Sequence, residues 1–521
     1  MDIPDNSSRV PSADRPRHYR WIVVCLLAPA VAWVAIHPAL EMGFNDDWQY
    51  VRSARVLADT GNFVYDGWTA PMTIPHAYWG AAIIRIFGFS FLALRLSVLP
   101  LWAGCGLLMY LLGRRVGLTP AYSAMASLCF TLSPIAVPVG ASFMTDIPAA
   151  MLMLLTIYCV MRATAAERVS VAACWLAGAA VTGLVAGMIR EILWAAPVSM
   201  ITVGVLLRWK ERGLRVVGIL LAGLVTAGAV LAERWHYMQP HAVRQVVRWS
   251  IGVRHELPGQ ALDLVYMGLT VMLVCLPVCM CVAVRAPALR GRARITTCAL
   301  LALAGAAVLW APRFGVAPWL SNLITKYGSF DSGQVLVGER PVVLPLAVRI
   351  LAGLTTLAIS AVWVGAVVQV AWHYRQHLRA AIVGRKPLPV FVAVTAPFVA
   401  GYLVIVAHQG GAAPTFDRYV LPIAAIVAVY TAWLALRLAP APPSRAGWAT
   451  LAVLASFGVA NTHDLYAANR AKLLAASWLS SQAVPRHCIS AGYEYDGWTQ
   501  LAEKGVWAKQ NSATFPVSIW Y

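Results

Sequence analysis

The sequence predicts an all-α polytopic membrane protein, a bundle of about 13 transmembrane helices, and three observations predict it. Of 521 residues, 60% are hydrophobic and 12% charged, and the mean hydropathy is +0.67; soluble domains carry about twice that charged share. Apolar stretches of roughly 20 residues, the length that crosses a bilayer as a helix, recur from Trp21 to His463. These stretches stay apolar throughout instead of alternating, which excludes an outer-membrane barrel. The composition also excludes a soluble enzyme, a secreted disulfide scaffold and a disordered chain.

The spans fall at about 21–40, 91–113, 120–138, 147–161, 171–189, 192–207, 216–232, 263–284, 295–311, 343–372, 390–407, 419–436 and 448–464. Basic residues orient them. With Arg9, Arg15, Arg17 and Arg20 inside, the inward segments hold 22 of the 41 Lys and Arg in about 80 residues. Only Asp2, Asp5, Asp14, Glu167 and Glu211 of the 22 acids fall inside. Carboxylate chemistry is therefore expected on the outer face. Residues 1–20 read as a cytoplasmic tail and 21–464 as the membrane domain, including the long outward loop 41–90. Residues 465–521 read as a small external segment, with an amphipathic helix over Asn469–Gln482, then a strand and an aromatic loop over 485–498. Pro38 and Glu41 follow the first span without a small-residue cleavage site, so that span reads as an uncleaved anchor. The long loop and the tail are therefore expected on the exterior side of the membrane.

A net charge of +19 could suggest nucleic acid, but its concentration in inward loops points to the lipid bilayer as the partner. Nine of ten Cys lie in apolar stretches and Cys488 stands alone in the tail. The group Cys275, Cys279 and Cys281 has no nearby His and reads as packing, not as a metal site.

Two acidic motifs stand out. After Asn45, a good N-cap, Asp46 and Asp47 enter a helix whose Val51, Ala54, Leu57 and Ala58 share a face. Acids in a first turn stabilise a helix through its dipole by about 0.3–1 kcal/mol, which is one explanation for them. Function is the other, because a carboxylate pair sits at an apolar boundary here. Asp146, in Thr145-Asp146-Ile147-Pro148, likewise caps the fourth span or serves a site. Both motifs are expected at the outer membrane face, where convergent carboxylates could position a hydroxyl nucleophile or hold a divalent cation.

The run Asn45–Val64 with Pro75-His76-Ala77-Tyr78-Trp79 resembles the first external loop of GT-C glycosyltransferases. It is most similar to the bacterial relatives of protein O-mannosyltransferases and to lipid A aminoarabinose transferases. Thr145–Pro148 resembles their second acidic motif, and Phe416-Asp417-Arg418-Tyr419-Val420-Leu421-Pro422 their late Arg-Tyr-x-x-Pro element. The resemblance extends over about 40–480. It implies transfer of a sugar from a polyprenyl phosphate carrier to an envelope lipid, glycan or protein acceptor at the outer face. Position by position it makes Asp46 the catalytic base, Asp47 the neighbouring acid and Asp146 the residue that shapes the site. Arg190 lies where the aminoarabinose transferases place a phosphate-contacting Lys. Another Lys of that family is replaced here by Ile74, so phosphate binding must be arranged differently, with His76 a weak substitute. The segment 234–255, with Arg244 and Arg248 on one helical face, and Arg418 complete the expected cationic side. A generic anionic-lipid helix also explains Arg244 and Arg248.

Attack on an anomeric carbon needs a base at the acceptor oxygen and positive charge at the departing phosphate. The rival readings are a flippase for the lipid-linked sugar, which would line its path with ionisable groups, and a non-catalytic subunit of an envelope assembly.

Overall fold

A computed structural model describes residues 15–69, 71–242, 257–310, 319–325, 328, 344–374, 384–409 and 415–504. In chain order the helices are α1 (Arg15–Ile36), α2 (Asp47–Thr60), α3 (Ile74–Phe87), α4 (Phe91–Arg115), α5 (Pro120–Thr131) and α6 (Ala136–Gly140). There follow α7 (Asp146–Ala165), α8 (Val169–Ile189), α9 (Ala195–Leu206), α10 (Arg212–Met238), α11 (Leu257–Val274) and α12 (Leu276–Ala283). The series closes with α13 (Gly291–Trp310), α14 (Leu346–Tyr374), α15 (Pro387–Gln409), α16 (Leu421–Leu438), α17 (Arg445–Ser481) and α18 (Tyr493–Lys504). No strand occurs among the described residues. The chain is an all-helical, multi-pass membrane protein.

Each expected span falls on helix, but fewer helices are long and apolar enough to cross alone. Among the described residues eight qualify, or nine if α11 and α12 form one span broken by an 82° bend. The difference has local causes. The third expected span is split at Leu132–Ile135 into α5 and α6. The sixth is a short helix after a 3₁₀ turn at Glu191–Trp194. Pro277 opens α12 just after the break at Cys275, where proline lacks an N–H for the preceding turn.

Helix ends follow their capping residues. The hydroxyls of Ser90 and Ser444 accept from Ala93 N and Gly447 N, starting α4 and α17. Gly61, at φ +75°, ends α2 in the left-handed conformation glycine takes without strain. Close approach depends on small residues: a Cβ on Gly106 would lie 2.6 Å from the Cys25 carbonyl oxygen, so α4 and α1 pack backbone to backbone there. The most enclosed spans are α7 and α16. They carry the Asp146 and Arg418 ends of the bundle, so the site rests on the most enclosed spans.

The external tail differs from expectation. The amphipathic helix over Asn469–Gln482 is the continuation of α17, one helix of 37 residues that includes the last expected span. The expected strand and aromatic loop over 485–498 are instead a 3₁₀ turn at Arg486–Cys488 and the helix α18. Its aromatics satisfy helical spacing as well as a loop would: Tyr495 is buried, and Trp498 stacks on Phe89 at 5.8 Å.

Candidate active site

The loop between α1 and α2 is built around Asp47, not around a cap by Asn45. Asp47 and Arg95 both have fully buried side chains. Arg95 donates to Asp47 Oδ2 from Nε and Nη2, each at 3.2 Å, and to the Leu40 and Met42 carbonyls. Asp47 also accepts from Phe44 N at 2.6 Å and Phe143 N at 3.3 Å. Burial pushes this carboxyl up, and the guanidinium and backbone donors oppose it. One side chain thereby ties the loop to α4 and to the turn before α7.

Asp46 faces the other way. Its Oδ2 receives Arg418 Nη2 at 2.5 Å, and its Oδ1 receives the Tyr493 hydroxyl at 2.9 Å. Arg418 Nη1 reaches Asn45 Oδ1 at 3.2 Å, and the same oxygen accepts Asp46 N at 2.8 Å. Asn45 adopts φ +54°, which its short polar side chain tolerates. Its N–H goes to Glu494 at 3.1 Å. Asp46 keeps 15% side-chain exposure against none for Asp47. Of the adjacent pair, only Asp46 can meet a substrate.

Asp146 opens α7, but Thr145 does not cap that helix with its side chain. The Thr145 hydroxyl accepts from Arg190 Nε at 3.1 Å, while Arg190 Nη2 pairs with Asp146 at 2.9 Å. Arg190 also stands 5.6 Å over the Tyr419 ring. Its chain neighbour Glu191 turns elsewhere: it accepts Met72 N at 2.5 Å, and burial pushes it up to about 7.

Asp146, Arg190 and Arg418 line one narrow cleft of about 10 Å³ with Tyr402, Tyr419 and Pro422. Tyr50, on α2, lies in the field of all four charges. Burial raises its phenol, Asp46 and Asp146 add to that, and Arg190 and Arg418 oppose it. Two ion pairs, one joining residues 46 and 418 and the other residues 146 and 190, thus converge around one tyrosine.

His76 lies beside this cluster with Nε2 3.1 Å from the Phe143 carbonyl and its ring stacked on Phe143 at 4.0 Å. Burial lowers its pKa to about 4, so it is neutral at pH 7. Arg244 and Arg248 lie outside the described residues. Among the described residues no group of three His, Cys, Asp or Glu is arranged to hold a metal ion. Asp46 and Asp146 each have their own arginine, which suits anion binding better than a divalent cation.

Sequence reasoning missed Arg95, Tyr50 and Tyr493. An arginine inside an apolar span is costly and signals a buried acid, so Arg95 was findable. No local pattern marks Tyr493 as a neighbour of Asp46.

In class, the chain is similar to GT-C membrane glycosyltransferases. More narrowly, residues 41–247 match the family described as dolichyl-phosphate-mannose-protein mannosyltransferase. Both acidic motifs and Arg190 fall inside that match, which covers less than half of the chain. No curated protein matches the chain. Solved structures that resemble it include the Saccharomyces cerevisiae protein O-mannosyltransferase Pmt1-Pmt2 complex bound to the sugar donor, at 16% identity and TM-score 0.35. That likeness covers 45% of this chain and 38% of the yeast one. ArnT from Cupriavidus metallidurans bound to undecaprenyl phosphate is 15% identical, with TM-score 0.37, covering 80% of this chain and 77% of that one. The Archaeoglobus fulgidus oligosaccharyltransferase is 14% identical, with TM-score 0.41, covering 87% and 56%.

Proposed function

We propose that this chain transfers a sugar from a polyprenyl phosphate carrier to a hydroxyl or phosphate of an envelope lipid, glycan or protein acceptor. The reaction takes place at the periplasmic face of a bacterial inner membrane, with Asp46 as base. The observation that carries the reading is the placement of Asp46, partly exposed and held by Arg418 and Tyr493, beside the cleft of Asp146 and Arg190.

In the reaction the acceptor oxygen attacks the anomeric carbon while Asp46 takes its proton. The bond from that carbon to the carrier phosphate breaks, and the carrier leaves as polyprenyl phosphate. A single displacement inverts the anomeric configuration. Arg190 and Arg418 meet the developing phosphate charge, the electrostatic contribution such chemistry needs. Asp47 positions Asp46 by fixing the loop, and Asp146 positions Arg190. Arg418 has two tasks: it orients the Asp46 carboxylate, and its guanidinium meets the arriving phosphate.

The test is turnover of a polyprenyl phosphate sugar by purified protein. Asp46→Asn, which keeps size and hydrogen bonding, lowers turnover by about 10²–10⁴-fold, the scale of general-base catalysis, and leaves donor binding in place. Near-normal turnover in Asp46→Asn overturns the assignment, and transfer from a nucleotide sugar without lipid carrier overturns the donor.

A further inference from the structure

A second polar site lies at the opposite end of the same helix. Asp146 is the first residue of α7 and Arg162 stands near its last turn, about 24 Å along the axis at the helical rise. There Arg115, Arg162 and Arg168 line a pocket of about 570 Å³ with Glu167, Val171 and Trp175.

Neutral groups, and no acid, hold Arg115 and Arg162. Arg115 donates from Nε to the Met161 carbonyl at 3.2 Å, and Arg162 from Nη1 to the Tyr158 hydroxyl at 3.2 Å. Arg162 lies 4.8 Å over the Trp175 ring. Among the described residues none of the three forms an ion pair, although Glu167 is within the same pocket wall. Arg115 and Arg162 are close enough to repel each other. Neutral partners thus fix two half-buried cations side by side, with a third at the rim, and an anion would relieve the repulsion.

The remaining wall says which kind of anion. Val171 is exposed on α8, a span with most of its surface outside the bundle, and Trp175 is half-buried beside it. A ligand with a phosphate at one end and hydrocarbon at the other satisfies both walls. Basic pockets between transmembrane helices take anionic headgroups for this reason.

We propose that this pocket binds the phosphate of an anionic membrane lipid among Arg115, Arg162 and Arg168, with a lipid chain along Trp175 and Val171. It is a lipid site on the membrane face opposite the candidate active site.

Native mass spectrometry of the full chain in detergent, with phosphatidylglycerol or phosphatidylcholine of matched chains added, tests it. Phosphatidylglycerol should be retained at least fivefold better than phosphatidylcholine, and Arg162→Gln with Arg168→Gln should bring retention down to the phosphatidylcholine level. Because Arg162 packs on Trp175, the single exposed variant Arg168→Gln is measured beside it; it should lose at least half of the phosphatidylglycerol at an unchanged melting temperature. Equal retention of the two lipids, or undiminished phosphatidylglycerol in both variants, overturns the proposal. So does displacement of the lipid by millimolar inorganic phosphate, which would make this a free-anion site.

Discussion

Asp46 and Asp47 are chain neighbours with opposite surroundings, and their variants should fail differently. Asp47→Ala strands Arg95 in the interior; removing one partner of a buried pair costs about 3–5 kcal/mol, so loss of folded protein on heating should precede any kinetic effect. Asp46→Asn should retain a wild-type melting temperature and lose turnover. Arg190 grips Asp146 and Thr145 together, and its planar group can also hold a phosphate through two bonds where Lys offers a point charge. Arg190→Ala should therefore abolish transfer, with Arg190→Lys recovering part of it; normal donor affinity and turnover in Arg190→Ala removes it from the site. Glu191 gives a pH prediction. Its folded pKa of about 7 lies above the ordinary carboxyl value of 4.5, so its contribution to stability is full below pH 4.5 and lost as pH rises through 7. Glu191→Gln should melt above wild type at pH 8, and the gap should close by pH 5.

At the scale of elements, the long apolar runs were legible because twenty-residue spans have few alternatives, and each falls on helix. Breaks inside them were less so. Cys275-Leu276-Pro277 was absorbed into one expected span because its residues are apolar, while the chain bends there by 82°. The acidic motifs were legible through their spacing around helix starts, but the roles of adjacent residues depend on which side of α2 each faces, set by contacts 48 and 372 positions away. The helix α18 was misread because its aromatics pack across the external loop, on Phe89, Phe91 and Trp48. That packing supports a prediction. Tyr493→Phe removes the hydroxyl from Asp46 and should lower kcat about tenfold, within the range for a positioned hydrogen bond, with donor affinity unchanged. A lower affinity with intact kcat would put Tyr493 on the donor instead.

For the whole molecule, charge asymmetry predicts that both acidic motifs and α18 share one membrane face. Cysteine labelling in intact cells checks this: position 480, near the end of α17, should react from outside and position 290, before α13, should not. The reverse pattern would move the cleft to the cytoplasmic side. The two polar sites are joined by α7, with Asp146 at one end and Arg162 at the other.

The three groups that gather at the base come from residues 45–46, 418 and 493. A chain emerging from a ribosome delivers the carboxylate first and its two partners only after hundreds of further residues. Until then Asp46 lacks both of its partners, and the cleft lacks its Arg418 wall. On the proposed reading, competence then arrives only with the last helices, as a final act of assembly.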